Sequence, residues 1–179
     1  MKKQDKRLAA VLCNGGSRRK EGLSHEALKG DCAQLLAQNE GGPFDCAYGC
    51  VGGLSCAKVC PVHAVALNKK NVARVNRAVC TGCGACVKAC PRNLIRLLPE
   101  ENTLIPRCAN PKSAADARKE CDVSCIACGL CVKNCPTNAI TIEGNRAVLH
   151  PERCISCGMC AVKCPQGVIT DVDGIFATM

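Results

Sequence analysis

Three stretches of the chain carry four cysteines at one spacing, C-x2-C-x2-C-x3-C, with proline directly after the last cysteine. They read CTGCGACVKACP from Cys80, CIACGLCVKNCP from Cys125 and CISCGMCAVKCP from Cys154. Thiolates at this spacing bind iron–sulfur clusters: the first three cysteines hold one [4Fe–4S] cluster and the fourth holds its neighbour. The repeated run therefore predicts clusters that are bound in pairs.

A fourth run, CAYGCVGGLSCAKVCP at residues 46–61, ends in the same way but has wider internal spacing. Its partner is the run that begins at Cys80, and the other two runs form a second pair. Glycine permits tight turns, and a longer ligand loop costs little entropy. We interpret this run as a variant of the motif that glycine-rich inserts have widened.

Crossing over of the fourth cysteines predicts one ligand set for each cluster. The first pair gives Cys46, Cys50, Cys56 and Cys90 for one cluster, and Cys80, Cys83, Cys86 and Cys60 for the other. The second pair gives Cys125, Cys128, Cys131 and Cys164, and then Cys154, Cys157, Cys160 and Cys135.

Four cysteines remain, namely Cys13, Cys32, Cys108 and Cys121. One more cluster needs this number of thiolates, so we expect five [4Fe–4S] clusters, or four if these cysteines do not bind. Isolated buried thiols stay open as an alternative, because free cysteine packs as a small apolar residue. Another metal is a further alternative.

Zinc and disulfide bonds are the competing uses of so many cysteines. Tetrahedral zinc sites favour separated CxxC pairs, whereas each regular run here places four cysteines within eleven residues. The apolar stretch at residues 8–13 is too short for a signal peptide or a membrane span. We therefore expect a cytoplasmic chain with reduced, metal-binding thiols and no integral membrane segment.

The segments between the paired runs must position the ligand loops. AITIEGNRAVLH alternates around a Gly-Asn turn and AVALNKKNVARVN resembles it around Lys-Lys-Asn, so both predict β-hairpins. Each fourth cysteine is expected to open a turn of helix that the following proline stops. Two further helices are indicated, one carrying Cys32 in CAQLLAQN and one at SAADARKE, capped by Ser113 and Asp116.

These elements predict a small, cysteine-rich α+β fold of tandem bacterial ferredoxin-like 2[4Fe–4S] units. The first unit is expected at residues 40–107 and the second at residues 121–179. Residues 1–39 and 108–120 would supply the additional cluster and join the units. Folding should require iron, because few large apolar residues remain to form a core.

The formal net charge of +9 treats every thiol as neutral. Each oxidised cluster with its thiolates carries about two negative charges, so five clusters bring the chain close to neutrality. Basic residues near the N-terminus could meet an acidic partner or an anionic membrane surface, or form a solvated tail: Lys2, Lys3, Lys6, Arg7, Arg18, Arg19 and Lys20. The chain has three aromatic residues in all, too few for the bases of single-stranded nucleic acid to stack on. No nucleic-acid partner is therefore expected.

The sequence indicates no catalytic residue. It has neither a GxGxxG fingerprint after a strand nor a P-loop. His25, His63 and His150 have no catalytic setting and are expected at the surface or in packing. His63 and Tyr48 lie beside cluster ligands, where contacts with the ligands could tune a potential.

Together, AVLCNGG, CAYGCVGGLSCAKVCP, CTGCGACVKACPRNLIRLLP, CIACGLCVKNCPTNAI and CISCGMCAVKCPQGVI resemble the iron–sulfur B subunit of Rnf complexes, the ferredoxin:NAD oxidoreductases of anaerobic bacteria. The resemblance runs over residues 11–169. It implies an electron-transfer subunit of a larger oxidoreductase, with a flavin- or NAD(P)-binding subunit, or ferredoxin, as redox partner. The membrane-anchoring helix and further four-cysteine segment that usually begin this subunit do not occur here, so we expect its polyferredoxin part alone.

Two other functions remain open. A freestanding polyferredoxin would diffuse between enzymes, but soluble ferredoxins typically dock by negative charge, and a near-neutral chain does not favour this function. An assembly, sensing or structural iron–sulfur protein would pass no electrons. Several clusters in line favour a relay, because a relay must span distance.

Overall fold

The structure is a computed structural model that describes residues 6–17, 20 and 30–173. Its strands are β1 (Arg7–Val11), β2 (Val65–Leu67), β3 (Ala73–Val75), β4 (Ile95–Pro99), β5 (Leu104–Pro106), β6 (Ile140–Glu143), β7 (Arg146–Leu149) and β8 (Ile169–Asp171). Its α-helices are α1 (Cys32–Gln38), α2 (Ser55–Lys58), α3 (Ala85–Ala89), α4 (Ala114–Glu120), α5 (Leu130–Lys133) and α6 (Met159–Val162), with a 3-10 turn at Pro151–Arg153. The predicted α+β class is confirmed.

The strands pair two by two into antiparallel sheets. β1 pairs with β4, so that Val11 lies opposite Ile95, and β5 pairs with β8, so that Leu104 lies opposite Asp171. β1, which precedes residue 40, thus belongs with the strands of the first unit, and β5, which precedes residue 108, belongs with those of the second. We propose a boundary between the two units in the segment that joins β4 to β5.

Both predicted hairpins are present. β6 and β7 meet at a two-residue turn in which Gly144 has φ of 50° and Asn145 has φ of 56°. A type I′ turn needs positive φ at both positions, which Gly and Asn tolerate. In the β2–β3 hairpin, the Asn68 side chain accepts hydrogen bonds from the backbone N–H groups of Lys70 and Val72 at 3.0 and 3.1 Å.

Four helices of four or five residues begin at a residue with a left-handed backbone: Leu54, Gly84, Gly129 and Gly158. Each helix contains the third cysteine of a run and ends at or before the fourth. The prediction that the fourth cysteine opens a helix is therefore wrong. Proline disfavours a helical backbone in the residue before it, and Cys90, which precedes Pro91, is extended with ψ of 109°.

The two longer helices occur where the sequence predicts them. α1 begins at a capping box in which Asp31 accepts from the N–H of Gln34 and the Gln34 side chain accepts from the N–H of Asp31. α4 begins at Ser113, whose hydroxyl oxygen accepts from the N–H of Asp116 at 3.3 Å. Cys32 is the first residue of α1, and Cys121 directly follows α4. The two caps therefore help to fix the positions of both cysteines.

Each unit has its own small core, and cysteine is part of both. The first core contains Ala9, Val11, Cys56, Val65, Val72, Ala73, Cys86 and Ile95. The second contains Leu104, Cys125, Cys131, Ile140, Ala147, Cys160, Val168 and Ile169. A third, smaller cluster of Ala10, Leu98 and Ile105 packs β1 and β4 against β5. The outer face of the β1–β4 sheet is thus where the units meet.

Gly82 is expected to tolerate no side chain. Its φ is +73°, and a Cβ would lie 1.9 Å from the carbonyl oxygen of Arg7 in β1. We expect Gly82→Ala to combine left-handed strain of roughly 1–2 kcal/mol with an overpacking cost of about 1–3 kcal/mol. Thermal unfolding of the iron-loaded protein measures this loss.

Gly129→Ala is the matched control, because Gly129 has φ of +74° and no atom within 4 Å of a Cβ. This variant should lose only the strain, roughly 1–2 kcal/mol. Equal losses in the two variants would show that β1 does not pack against Gly82.

Candidate metal centres

The structure brings together three of the cysteine sets that the sequence predicts. Cys60, Cys80, Cys83 and Cys86 line one cavity, here called the second site. Cys125, Cys128, Cys131 and Cys164 line another, the third site. In the fourth site, the pKa of the Cys160 thiol is raised to about 12, mainly by burial and also by the nearby thiols of Cys154, Cys135 and Cys157.

The first site differs from the prediction. Its cavity is lined by Cys32, Cys50, Cys56 and Cys90, so Cys32 takes the place expected for Cys46. The pKa of the Cys56 thiol is raised to about 12, mainly by burial and also by the nearby thiols of Cys50, Cys32 and Cys90. The first site therefore draws one thiol from α1, outside the cysteine run.

The reason for the exchange lies at Gly53. Aligned without gaps, Cys50 matches Cys80 and Gly53 matches Cys83. The run is therefore not widened: its second cysteine is replaced by glycine. A Cβ on Gly53 would lie only 2.5 Å from the backbone nitrogen of Cys32, so α1 approaches through the space that a side chain at position 53 would fill.

The backbone supports this alignment. Gly52 and Gly82 occupy the same place and have φ of 79° and 73°, while Leu54 and Gly84 also match, with φ of 57° and 78°. The Ser55 hydroxyl oxygen then accepts a hydrogen bond from the N–H of Cys32 at 3.0 Å. This contact holds the start of α1 against the run in which Gly53 replaces the second cysteine.

The fifth site takes the displaced cysteine. Cys13, Cys46 and Cys121 line one cavity together with glycines and with Cys50 of the first site. The pKa of the Cys121 thiol is raised to about 12, mainly by burial and also by the nearby thiols of Cys46, Cys108 and Cys13. The fifth site is thus Cys13, Cys46, Cys108 and Cys121, whereas the sequence grouped Cys32 with the leftover cysteines.

Glycine is needed at one position in the wall of the fifth site. A Cβ on Gly16 would lie 2.6 Å from the Cys121 sulfur, which is too close, whereas one on Gly49 would be in ordinary van der Waals contact with the sulfurs of Cys13 and Cys46, at 3.6 and 3.7 Å. Gly16 thus lets the backbone approach the Cys121 thiol closely. The cavity therefore has the close backbone walls that a compact prosthetic group requires.

Each fourth cysteine accepts a hydrogen bond from the backbone N–H four residues later. The pairs are Cys60 with Ala64 at 3.2 Å, Cys90 with Leu94 at 3.4 Å, Cys135 with Ala139 at 3.2 Å and Cys164 with Val168 at 3.3 Å. The residue before each donor has positive φ: His63, Asn93, Asn138 and Gly167. This turn aims a backbone N–H at the sulfur of each fourth cysteine.

The fifth site contacts a site in each unit. The Cys13 sulfur accepts from the N–H of Cys50 in the first site at 3.4 Å. The Cys108 sulfur accepts from the N–H of Cys125 in the third site at 3.4 Å. The fifth site thus lies between the two units.

Two arginines, half-buried Arg74 and buried Arg107, lie near the fifth site. Arg74 donates to the carbonyl oxygen of Cys13 at 3.0 Å, and Arg107 donates to the carbonyl of Val11 at 2.9 Å and to the Thr170 hydroxyl. The pKa of Arg107 is lowered to about 9, mainly by burial and also by the charge of Arg74, while a thiolate at Cys13 acts in the opposite direction. Anionic ligands in the fifth site would therefore stabilise the charge of Arg107.

The donor set fits iron–sulfur clusters better than single metal ions. Among residues 6–17, 20 and 30–173, no group of three His, Cys, Asp or Glu side chains is arranged to hold one ion. Zinc would need its sulfurs at about 2.3 Å from a shared centre. The cysteines surround cavities instead, and soft thiolate ligands suit an iron–sulfur cluster.

Other predicted residues have local contacts. His150 Nε2 lies 2.9 Å from the Thr141 hydroxyl, whereas His25 lies outside the described residues. The N–H of Tyr48 donates to the Cys46 thiol, and the backbone N–H of His63 donates to the carbonyl of Cys60 at 3.2 Å. Both residues thus contact ligand residues through the backbone.

The N-terminal basic residues that the structure describes are engaged within the chain. Lys6 pairs with Glu100 at 2.7 Å, Arg7 donates to the carbonyl of Leu97 at 3.0 Å, and Lys20 donates to the carbonyl of Asn39 at 3.0 Å. The rest of this group lies outside the described residues: Lys2, Lys3, Arg18 and Arg19.

Comparison with known families identifies the kind of domain that carries the cysteine runs. The family model described as a 4Fe-4S dicluster domain matches residues 46–94 and 124–168, and a second model of that description matches residues 79–140. The chain belongs to the 4Fe-4S dicluster family. The predicted tandem of ferredoxin-like dicluster units is therefore confirmed, as is the [4Fe–4S] cofactor.

Curated relatives of this dicluster protein carry related names. It is 37% identical over 142 residues to the B subunit of the Na(+)-translocating ferredoxin:NAD(+) oxidoreductase complex of Acetobacterium woodii, covering 79% of this chain and 42% of the relative. It is 39% identical over 146 residues to the B subunit of the proton-translocating complex of Clostridium ljungdahlii, covering 80% and 50%. The resemblance to Rnf B subunits is confirmed, and the chain spans half or less of these relatives.

A shorter match extends the same pattern. The B subunit of the ion-translocating oxidoreductase complex of Methanosarcina acetivorans is 40% identical over 52 residues, which is 29% of this chain and 19% of the relative.

Among the helices in the described part of this dicluster protein, none is long and apolar enough to cross a membrane.

Proposed function

We propose that this chain is the electron-transfer subunit of a larger oxidoreductase complex and relays single electrons through five [4Fe–4S] clusters. One observation carries the proposal: the fifth site takes cysteines from both units and contacts a site in each. A fifth cluster there would join two dicluster units that otherwise have separate cores. The relatives' names, which place them in ferredoxin:NAD(+) oxidoreductase complexes, support the same function.

The five sites follow one another in space. Cys86 of the second site and Cys56 of the first share one core, and Cys131 of the third site and Cys160 of the fourth share the other. The fifth site lies between the first and the third. The order along the proposed relay is therefore second, first, fifth, third and fourth.

The residues of the chain bind the clusters and control access to them. Clusters supply reversible one-electron chemistry, while the protein sets their potentials through hydrogen bonds, charge and burial. One cysteine is exposed in each of three sites: Cys83 of the second, Cys128 of the third and Cys157 of the fourth. A redox partner can approach these sites, whereas the four cysteines of the fifth site are only partly exposed.

We infer a flavin- or NAD(P)-binding subunit, or ferredoxin, as the partner, and a cytoplasmic location. A freestanding polyferredoxin is the second candidate. Anaerobic affinity purification from the host without detergent, followed by mass spectrometry, separates the two functions. Flavin- or nucleotide-binding subunits in fixed ratio support the complex. A single iron-loaded chain supports the freestanding carrier, and recovery only with integral membrane subunits would overturn the cytoplasmic location.

Arg107→Met is expected to lower the midpoint potential of the fifth cluster by on the order of tens of millivolts, because a nearby positive charge that favours the reduced cluster is lost. Redox titration followed by electron paramagnetic resonance (EPR) measures the shift. Arg107→Lys should keep most of the potential.

Arg118→Met is the matched control for this variant, because Arg118 is exposed on α4. It should leave every midpoint potential unchanged. A potential in Arg107→Met equal to that of the parent, at full iron content, would show that Arg107 does not act on the cluster.

A further inference from the structure

A cavity of about 260 Å³ lies between the two units, and Cys108 of the fifth site forms part of its wall. Its walls come from β4 of the first unit, β7 of the second, and the segment that follows β5. A single water needs about 10–15 Å³ of such volume. The cavity therefore has room for a small organic ion as well as for solvent.

Three arginines line this cavity: Arg92, Arg96 and Arg146. Arg92 is already engaged, because its guanidinium donates to the carbonyl oxygens of Gly41, Cys46 and Gly49. Arg96 comes from β4 and Arg146 from β7, so the remaining two cations belong to different units. Neither has a hydrogen-bonded or ion-paired side-chain partner among the described residues.

The other walls are apolar and carry no compensating charge. They are formed by Leu12, Leu98, Pro106, Ala109, Val148 and Leu149, together with Asn93, Cys108 and Ala147. No aspartate or glutamate of the described chain is among these lining residues. Arg96 is exposed and Arg146 is half-buried. Two like charges on one cavity, with no carboxylate in its lining, favour an anion between them.

We propose that this cavity binds a small oxyanion, a carboxylate or a phosphate ester, between Arg96 and Arg146. The planar guanidinium binds both groups through paired hydrogen bonds. The apolar walls would contact the carbon part of the ligand. Because each arginine belongs to a different unit, the bound anion bridges them and stabilises their contact.

The anion is also coupled to the relay, and this part of the inference rests on the proposed fifth cluster. Cys108 of the fifth site forms part of the cavity wall. An anion beside a cluster disfavours addition of an electron, so a bound oxyanion lowers the midpoint potential of the fifth cluster. By linkage, the ligand binds more weakly once that cluster is reduced.

Isothermal titration calorimetry of the iron-loaded full chain tests the site, with inorganic phosphate and succinate as separate probes. We expect one ligand per chain, and an affinity lower by on the order of tenfold or more in Arg96→Gln/Arg146→Gln, since charge-assisted hydrogen bonds are lost. Arg118→Gln removes one charge from an exposed position on α4 and should bind as the parent does.

The two probes distinguish the source of the oxyanion. Tighter binding of phosphate identifies a phosphate ester, and tighter binding of succinate identifies a carboxylic acid. Absence of heat with both probes, or equal binding by the double variant, would overturn the site. If a protein that binds neither probe still contained its full iron and transferred electrons, the oxyanion site would be refuted while the proposed function stood.

Discussion

Replacing Cys46 with alanine is expected to remove the same cluster as replacing Cys121, and replacing Cys32 the same cluster as replacing Cys90. The reason is that Cys46 and Cys121 line the fifth cavity, whereas Cys32 and Cys90 line the first. Each single variant should lose about four of roughly twenty iron atoms per chain. Iron and sulfide analysis, with EPR spectra of the reduced protein, identifies which cluster is missing.

Double variants make this prediction sharper. Cys46→Ala/Cys121→Ala should lose no more iron than either single variant, because both cysteines serve one cluster. Cys46→Ala/Cys90→Ala should lose about eight iron atoms, since two clusters are affected. If Cys46 and Cys90 instead proved to share one cluster, the grouping by sequence spacing would be right and the structural grouping wrong. A fully loaded parent with about sixteen iron atoms would exclude the fifth cluster.

Removing iron is expected to abolish the folded state. The paired strands are only three to five residues long and lie in two-stranded sheets, which are marginal without further support. Both cores contain cysteines whose burial raises their pKa, among them Cys56 at about 12 and Cys131 at about 11. Without metal these thiols leave cavities where the strands should be joined.

Amide NMR of the iron-free chain, reduced and anaerobic, measures this effect. We expect poorly dispersed spectra and no cooperative thermal transition, and recovery of both on reconstitution. NMR is preferable to near-ultraviolet circular dichroism, because the chain has one Tyr and no Trp. Dispersed resonances and cooperative melting without iron would show that the apolar residues suffice for folding.

Local signals in the sequence predicted both hairpins and the two longer helices. The Gly-Asn turn requires positive φ at two adjacent residues, and Gly144 and Asn145 provide it. The Ser113 cap fixes the start of α4 through one side-chain hydrogen bond. Such features depend on residues within one or two turns of each other, so they can be inferred without tertiary contacts.

The exchange of Cys46 and Cys32 could not be inferred from cysteine spacing. Counting cysteines alone made Cys46 the first ligand of its run. Alignment of the glycines would have indicated the correct register, since Gly52 matches Gly82 and leaves Gly53 opposite Cys83. Which distant thiol fills the gap depends on how α1 packs, and that is a tertiary contact.

The placement of the fifth site has a consequence for how the protein is assembled during synthesis. Its ligands come from residues 13, 46, 108 and 121, so this centre can close only after both the early and the late parts of the chain are in place. A chain truncated before Cys121 could bind the clusters of its first unit, but it would lack the fifth cluster through which electrons would pass to the second unit. The proposed fifth cluster would therefore form only after the chain has been synthesised at least as far as Cys121.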